Sequence, residues 1–418
     1  MANYQLQRGT YDAYYEDAMN IEKIVEMLKS IVNTYGYSPI HTPMYESTNL
    51  FARSAGESSD IVTKEMYNFV DKSGREITLR PELTAGVMRA IVTNKLYAVK
   101  DLPLKLSYYG SAFRYERPQA GRLREFHQFG VEIFGAKGAE TDAEAIIVAD
   151  TLLRKLGLQV KLYIYSIGCP TCRAAYNKAL KEFFAPNLEK LCFDCKARYE
   201  KNPLRLLDCK EAECKKINAG APSLLDYLCE GCRAHFEALK EYLALAGVEY
   251  EIDPRIVRGL DYYTRTVFEF VSTSIGAQGT VCGGGRYDGL IEELGGKPMP
   301  AVGFAAGLER LLIVMEQTGA AMPEEPKPEV YIAGMDAECR KKAFEIAIAL
   351  RRKGVYAEID HMERSVKAQF KYADKIGAKY VVVIGGNELA EGKANVKHMA
   401  TGESESVPFD EMYTFLKK

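Results

Sequence analysis

Four arginines and two glutamates are concentrated in a short stretch between two strand-like segments: Arg114, Glu116, Arg117, Arg122, Arg124 and Glu125. A basic loop between strands can hold phosphate groups, because guanidinium N–H donors match the geometry of phosphate oxygens. A solvated hairpin tip has the same composition, and charge alone favours that second interpretation. Other sequence features must decide between the two.

A second concentration of chemically active side chains is a block that holds eight of the ten cysteines. Cys169 and Cys172, followed by Cys192 and Cys195, give two C-x₂-C pairs at a spacing typical of zinc sites. A second set of four is available in Cys209, Cys214, Cys229 and Cys232. We expect one or two structural zinc sites, with the pairing of the ligands left open. Binding of one Zn²⁺ ion by four thiolates contributes about 10–16 kcal/mol of apparent binding energy to a domain with a small core. Buried free thiols are the alternative, whereas a reducing cytoplasm disfavours disulfides.

Several helices and strands must position these residues. Apolar spacing predicts helices over 12–35, 84–93 and 141–156 and short strands at 38–45, 66–70 and 76–79. Strands are also predicted on both sides of the arginine loop, at 104–117 and 124–134, then a glycine-rich turn at 283–285, and a strand leading into a helix over 300–315. Mixed strands and scattered helices of this kind predict an α+β domain on an antiparallel sheet.

A proline-rich stretch, Glu316 to Glu329, separates this domain from the end of the chain. Beyond it, strand and helix patterns alternate from Val330 to Ile384 in the order βαβαβ, which predicts a small α/β domain. The expected organisation is a first domain over 1–325, with the Cys-rich insertion at 169–250 inside it, and a second domain over 326–418.

The composition limits the classes of protein that this chain can belong to. Its 418 residues are 47% apolar, which suits two or three globular domains. The longest apolar stretch, Ala301 to Met315, contains Glu309 and Arg310 and cannot span a bilayer. No basic flank followed by an apolar run marks a secretory signal, so we expect a cytoplasmic protein without a membrane partner. The net charge of −2 neither indicates nor excludes a nucleic-acid partner.

Five segments carry a resemblance to a known family. GYSPIHTPMYE at 36–46, FRYERPQAGRLREFHQFGVEIFG at 113–135 and AVGFAAGLERLL at 301–312 resemble motifs 1, 2 and 3 of class II aminoacyl-tRNA synthetases. RGLDYYTRTVFEF at 258–270 and GGGRYDGLIEELGG at 283–296 resemble two motifs peculiar to histidyl-tRNA synthetases. In this order and spacing, the five segments together are a specific signal.

The resemblance implies a fold and an activity. It implies a class II catalytic domain on an antiparallel β-sheet flanked by helices, a mainly helical Cys-rich insertion and a C-terminal α/β anticodon-binding domain. The implied reaction joins L-histidine to tRNA(His) through a histidyl-adenylate. ATP is the implied second substrate, and Mg²⁺ is the implied cofactor. A homodimer built on motif 1 is implied as well.

The resemblance also assigns roles to individual residues. Arg114 and Arg258 are the implied catalytic residues. Histidine-binding residues are Glu82, Thr84, Arg114, Gln128, Glu132, Arg258, Tyr263 and Tyr287. ATP-binding residues are Arg114, Glu116, Phe126, Arg258 and Arg310. Contacts to the tRNA acceptor end come from Arg117, Gln119, Arg122 and Arg124.

One position departs from the family pattern, and two rival families remain to be weighed. Leu83 stands where the family more often has glycine, and its bulk fits if the side chain points into the core. The first rival is the regulatory paralogue associated with ATP phosphoribosyltransferase, which typically lacks the C-terminal domain that is expected here. The second rival is another class II synthetase, such as the glycine or proline enzyme, which RGLDYYT and GGRYDG disfavour.

Overall fold

The computed structural model describes residues 4–55, 61–254, 256, 262–274, 279–320 and 326–417. The chain divides into two compact units, Met1–Pro323 and Glu324–Lys418. None of the helices in the described ranges is long and apolar enough to cross a membrane.

The strands of the described residues are numbered in chain order. They are β1 (Ser38–Pro39), β2 (Tyr45–Ser47), β3 (Tyr67–Val70), β4 (Glu76–Leu79), β5 (Leu104–Phe113), β6 (Glu125–Phe134), β7 (Lys161–Ser166), β8 (Glu251–Ile252), β9 (Thr264–Val271), β10 (Thr280–Arg286), β11 (Ala301–Gly307), β12 (Val330–Gly334), β13 (Ala357–Ile359), β14 (Tyr380–Ile384), β15 (Lys393–His398) and β16 (Ser404–Pro408).

The α-helices are numbered in the same way. They are α1 (Glu16–Thr34), α2 (Thr48–Ala55), α3 (Thr84–Thr93), α4 (Leu96–Val99), α5 (Ala139–Lys155), α6 (Pro170–Phe184), α7 (Phe193–Lys201), α8 (Ala212–Asn218), α9 (Glu230–Leu245), α10 (Leu290–Glu293), α11 (Leu308–Thr318), α12 (Ala337–Arg351), α13 (Val366–Lys375), α14 (Gly386–Glu391) and α15 (Met412–Leu416). Helix α11 therefore includes the first residues of the predicted linker, because the buried Val314 and Met315 still anchor its last turns.

The first unit is built on a sheet whose described strands run in the order β1-β5-β6-β11-β10-β9-β7-β8. Its interior pairs are antiparallel, and the two edge pairs, β1 with β5 and β7 with β8, are parallel. Helices α1 and α5 bury apolar residues such as Leu28 and Ile146 in the main core of this unit. The predicted α+β fold on an antiparallel sheet is confirmed.

The glycine-rich segment Gly283–Gly285 lies inside strand β10, so the predicted turn at this place is wrong. A Cβ atom at Gly284 would overlap the carbonyl oxygen of Gly303, and one at Gly285 would lie 2.5 Å from the carbonyl oxygen of Thr266. The glycines are therefore needed where neighbouring backbone approaches closely, which is a common reason for glycine within a strand.

The Cys-rich segment is mainly helical, as predicted. Helices α6 to α9 and three short 3₁₀ turns occupy the chain between β7 and β8. Buried cysteines share the core of this region with a few apolar side chains, including Leu180, Leu206 and Leu224. Helix α9 also packs against helix α5, with Phe236 and Leu239 in the main core of the first unit.

The second unit contains the predicted βαβαβ alternation. Its described strands are in the order β13-β12-β14-β15-β16, with β13, β12 and β14 parallel. The antiparallel hairpin of β15 and β16 at the end of the sheet was not anticipated from the sequence.

Candidate active site

One face of the large sheet carries a cavity of about 460 Å³. Its walls come from β6, β9, β10, β11, the loop after β5 and the start of α3. The cavity brings together eleven of the residues predicted from the sequence: Glu82, Thr84, Arg114, Glu116, Arg122, Phe126, Gln128, Glu132, Tyr263, Tyr287 and Arg310. Arg258 lies outside the described residues.

Glu132, in the middle of β6, forms the buried acidic end of the cavity and is 1% exposed. Tyr287 donates a hydrogen bond to Glu132 Oε2, and the Tyr108 hydroxyl donates to Oε1 at 3.1 Å. On the neighbouring strand, a Cβ atom at Gly303 would overlap Glu132 Oε2. Only glycine at position 303 therefore leaves room for this carboxyl group.

The Glu132 carboxyl group titrates far from its ordinary range. Burial raises its pKa from 4.5 to about 8, helped by the charge of Glu82, and outweighs the hydrogen bonds from Tyr287, Thr84 and Tyr108 that lower it. A ligand that brings an N–H donor or a positive charge to this carboxyl group favours the ionised form. The acidic end is thus suited to a basic, hydrogen-bonding ligand group.

Four tyrosines surround the acidic end, and two of them, Tyr108 and Tyr262, were missed from the sequence. Tyr262 donates to Glu82 Oε2 at 3.2 Å, and its ring centroid lies 4.7 Å from that of Tyr263. Tyr108 reaches both Glu132 and Thr84. The available signals were the adjacent tyrosines of the RGLDYYT segment and the alternation of β5, which turns Tyr108 to the same side as Ala112.

Gln128 contributes an unused acceptor to the cavity wall. Its Oε1 atom is buried and has no hydrogen-bond partner among the residues that the structure describes. Because buried polar atoms in folded proteins are nearly always hydrogen-bonded, this atom indicates a donor supplied by a ligand.

The other end of the cavity is rich in arginine. Arg310 joins two walls, since its Nε donates to the carbonyl oxygen of Gly121 and its Nη1 to that of Thr280, both at 2.8 Å. Burial and the nearby charges of Arg122 and Arg114 lower the pKa of Arg310. This crowding of like charges would be relieved by an anionic ligand.

Arg114 and Phe126 are neighbours on the cavity wall. Arg114 Nε donates to the carbonyl oxygen of Pro81 at 2.9 Å, and its guanidinium lies 5.2 Å from the centroid of the Phe126 ring. Arg114 Nη1 lies 3.9 Å from Glu116 Oε1, and Glu116 forms a shorter salt bridge with Arg122 at 2.9 Å. The Arg114 guanidinium is therefore held by a backbone carbonyl, an aromatic ring and a carboxylate.

The three other predicted loop residues do not line the cavity. Arg117 and Gln119 are exposed on the loop between β5 and β6, where Gln119 pairs with Arg122 through two backbone hydrogen bonds. Arg124 lies over the Tyr115 ring at 3.9 Å, and its backbone N–H donates to Gly9 O at 2.7 Å.

Leu83, the departure from the family pattern, is 2% exposed and belongs to the core beneath α3. Its side chain is thus buried in the core, which is the condition under which leucine is expected to fit at this position. Leu83 does not line the cavity.

The eight cysteines of the insertion form two groups, and these are not the groups suggested by their order in the sequence. The outer cysteine group consists of Cys169, Cys172, Cys229 and Cys232. The inner cysteine group consists of Cys192, Cys195, Cys209 and Cys214. The pairing differs because α9 returns to the beginning of α6, so that the last C-x₂-C pair meets the first.

Both groups have the geometry of a metal site. Within each group, the ligand atoms lie within 4.8 Å of one another. Sulfur atoms are 3.6 Å apart in Cys169 and Cys172 and 3.8 Å apart in Cys192 and Cys209. Four sulfurs at the usual distance of about 2.3 Å from one Zn²⁺ ion would be about 3.8 Å apart, whereas a disulfide bond is only about 2.05 Å long. None of the ten cysteines, all of which lie in the described part of the chain, forms a disulfide bond.

The sheet order, the arginine-bearing hairpin of β5 and β6 and the Arg310 helix together define a class II aminoacyl-tRNA synthetase. The sequence model of the family described as histidyl-tRNA synthetase matches residues 9–311, and that of an anticodon binding domain matches residues 329–418. The chain belongs to the histidyl-tRNA synthetase family.

Similar proteins extend over the full length of the chain. It is 54% identical to a histidine–tRNA ligase of Caldanaerobacter subterraneus subsp. tengcongensis over 98% of both chains. It is 51% identical to a histidine–tRNA ligase of Acetivibrio thermocellus over 99% of both. The crystal structure of apo histidyl-tRNA synthetase from S. aureus matches with a TM-score of 0.86 and 38% identity, covering 100% of both chains.

Proposed function

We propose that this chain joins L-histidine to tRNA(His) in two steps, through a histidyl-adenylate, releasing AMP and pyrophosphate. The observation that carries the proposal is one cavity with the Glu132 carboxyl group at one end and the Arg310 cluster at the other. The first end suits an imidazole and the second suits a triphosphate. The enzyme acts in the cytoplasm, where charged tRNA is consumed.

In the first step, a carboxylate oxygen of histidine attacks the α-phosphorus of ATP, and the bond to the leaving pyrophosphate breaks. Negative charge builds up on the phosphoryl oxygens, and fixed cations stabilise it. Arg114 supplies one such charge from the cavity wall. Arg258 is proposed to supply a second, on its resemblance to the family motif.

Selection of histidine depends on the buried polar groups of the acidic end. Glu132 accepts a hydrogen bond from one ring N–H, while a hydroxyl of Tyr263 or Tyr287 meets the other ring nitrogen. Glu82, Thr84 and Gln128 hold the amino and carboxylate groups. A ligand without ring nitrogens leaves these buried groups unpaired. The enzyme should therefore prefer histidine over such a ligand by roughly 10⁴-fold in kcat/KM.

The nucleotide occupies the arginine-rich end. Arg310 and Phe126 lie on the two faces of adenine, and Glu116 accepts from its amino group. A cation–π contact of this kind contributes about 0.5–2 kcal/mol. Mg²⁺ accompanies the triphosphate and, when bound, neutralises part of its charge.

In the second step, the terminal hydroxyl of the tRNA attacks the carbonyl carbon of the adenylate, and AMP leaves. The exposed loop that contains Arg117, Gln119, Arg122 and Arg124 contacts the acceptor end, where Gln and Arg side chains can read base edges. The domain over 326–418 binds the anticodon.

Each cysteine group binds one structural Zn²⁺ ion. Four thiolates would leave a bound Zn²⁺ ion without an open position for a water molecule, so the ion would supply stability and take no part in the reaction. Its binding energy would add to that of the apolar core that surrounds the thiols.

The enzyme acts as a homodimer. Met44, Tyr45, Phe69 and Val70 are exposed apolar residues on or beside the small sheet of β2, β4 and β3. Adjacent exposed apolar side chains of this kind mark an interaction surface. Light scattering during size-exclusion chromatography should give about twice the chain mass of 46.7 kDa, and a monomer mass would refute the dimer.

The function is tested by ATP–pyrophosphate exchange with each of the twenty amino acids. We expect exchange with histidine alone, abolished in Glu132→Gln and retained in Glu140→Gln, an exposed residue of α5. Folded, ATP-binding protein that gives no exchange with any amino acid would overturn the proposal and favour a regulatory role.

A further inference from the structure

The Cys-rich insertion reaches the active-site cavity through one short turn. Asp208 and Lys210 both line the cavity. Cys209 between them turns the other way and is 6% exposed, as a member of the inner cysteine group. A substrate-facing pair thus flanks a candidate metal ligand directly in the chain.

The turn lies at the nucleotide end of the cavity. Asp208 is close enough to Glu269 of β9 for their charges to interact, and Glu269 accepts a hydrogen bond from Thr280 at 2.8 Å. The Thr280 carbonyl oxygen in turn accepts from Arg310. Gly285 lies in register with Gly303, and Gly303 with Glu132. Along β10, Gly285 is five residues from Thr280, or about 16 Å, so the turn lies far from the Glu132 end of the cavity.

The inner cysteine group connects this turn to two helices. Residues 207–211 form no helix or strand. The other three members of the group come from the start of α7 and from α8, and the backbone N–H of Cys192 donates to Cys214 Sγ at 3.3 Å. An ion bound by all four thiolates fixes Cys209 Sγ to two helices, and therefore fixes the backbone of its neighbours.

We infer that a metal ion in the inner cysteine group fixes the Asp208–Lys210 turn against the cavity, and that Lys210 then binds the triphosphate of ATP. This inference rests on the proposed function. A triphosphate is favoured over the tRNA backbone because Lys210 lines the same cavity as Arg310, whereas three of the four residues proposed to contact tRNA, Arg117, Gln119 and Arg124, do not line it.

The first test compares Lys210→Ala with Lys210→Arg and with Lys215→Ala, which removes an exposed lysine of α8 in the same insertion. A lost charge-assisted hydrogen bond should raise the Kd for ATP, measured by calorimetry, and the KM for ATP in exchange by roughly tenfold. The KM for histidine should stay unchanged, Lys210→Arg should recover most of the affinity, and Lys215→Ala should behave as the native protein.

The second test removes the metal through Cys192→Ser, a substitution that changes none of the residues of the turn itself. Zinc content by mass spectrometry should fall from about two to about one equivalent per chain, with the same rise in Kd for ATP as in Lys210→Ala. The variant that combines Lys210→Ala with Cys192→Ser should show no further rise in the Kd for ATP, because both substitutions act through the same contact.

An unchanged Kd for ATP in Lys210→Ala would overturn the inference, as would a rise only in the KM for tRNA. Additive effects in the double variant would overturn the role of the metal. Native protein without histidine-dependent exchange would instead overturn the proposed function, so the two failures are distinguishable.

Discussion

The active-site cavity and the Cys-rich insertion are built by different means within one unit of the chain. In the cavity, Glu132, Gly303 and Gly285 lie side by side because the backbone hydrogen bonds of β6, β11 and β10 fix their register. In the insertion, which contains no strand among its described residues, helices and 3₁₀ turns surround two groups of thiols. Side-chain positions thus follow from backbone hydrogen bonds between strands in the cavity and from the convergence of cysteine side chains in the insertion.

If the sheet fixes the cavity, a single methyl group placed between its strands should have the largest effect. We expect Gly303→Ala to lower kcat/KM for histidine by about 10³-fold or more, because the added Cβ overlaps Glu132 Oε2. Gly231→Ala is the matched control, because Gly231 lies in α9 of the insertion with no atom within 4 Å of an added Cβ. Steady-state exchange kinetics would measure both, and near-native activity of Gly303→Ala would show that the sheet is more pliable than its register implies.

If metal ions hold the insertion, removing them should loosen that region and leave the sheet intact. Cys172→Ser, or treatment with a zinc chelator, should lower the free energy of local opening over α6 to α9 by about 3 kcal/mol or more. Amide hydrogen exchange read by mass spectrometry should then quicken in these helices, with β6 and β11 still protected. Equal loss of protection in both regions would mean that they unfold as one.

The smallest effect concerns the pH dependence of the cavity. The pKa of Glu132 is raised from 4.5 to about 8 in the folded, ligand-free protein. Its contribution therefore stabilises the fold fully below pH 4.5 and is lost as the pH rises toward about 8. As the pH rises from about 5.5 to about 7, inside this window, Glu132→Gln should gain about 2 kcal/mol in free energy of unfolding relative to the native protein.

Urea unfolding of ligand-free protein at several pH values would measure this difference. Glu140→Gln should follow the native protein at every pH, since Glu140 is exposed. Parallel curves for Glu132→Gln and the native protein would mean that the Glu132 carboxyl group titrates normally.

The sequence predicted the fold and most of the cavity because motif residues on adjacent strands keep a fixed spacing. Glu132 and Gln128 are two positions on one face of β6, which strand periodicity alone requires to point the same way. Tyr108 and Tyr262 were missed because nothing local distinguishes a tyrosine that reaches a carboxylate from a tyrosine of the core. The place of Gly283–Gly285 in a strand was missed for a similar reason, since the approach of neighbouring backbone is not visible in composition.

The pairing of the cysteines could not be predicted from spacing. Each C-x₂-C pair begins a helix, with Cys169, Cys192 and Cys229 at the N-cap positions of α6, α7 and α9. Local sequence therefore determines that two thiols of a pair face the same way. Which pairs meet depends on the path of the chain between them, and that path is set by how α9 packs on α5.

The nested arrangement of the cysteine groups has a consequence for biosynthesis. The inner group closes within residues 192–214 and the outer within residues 169–232, and a shorter loop closes at a lower entropic cost. All eight thiols precede β9, β10 and β11 in the chain. On a ribosome that makes the protein from its amino end, the two cysteine groups can therefore close, inner before outer, while the central strands of the sheet are still being translated.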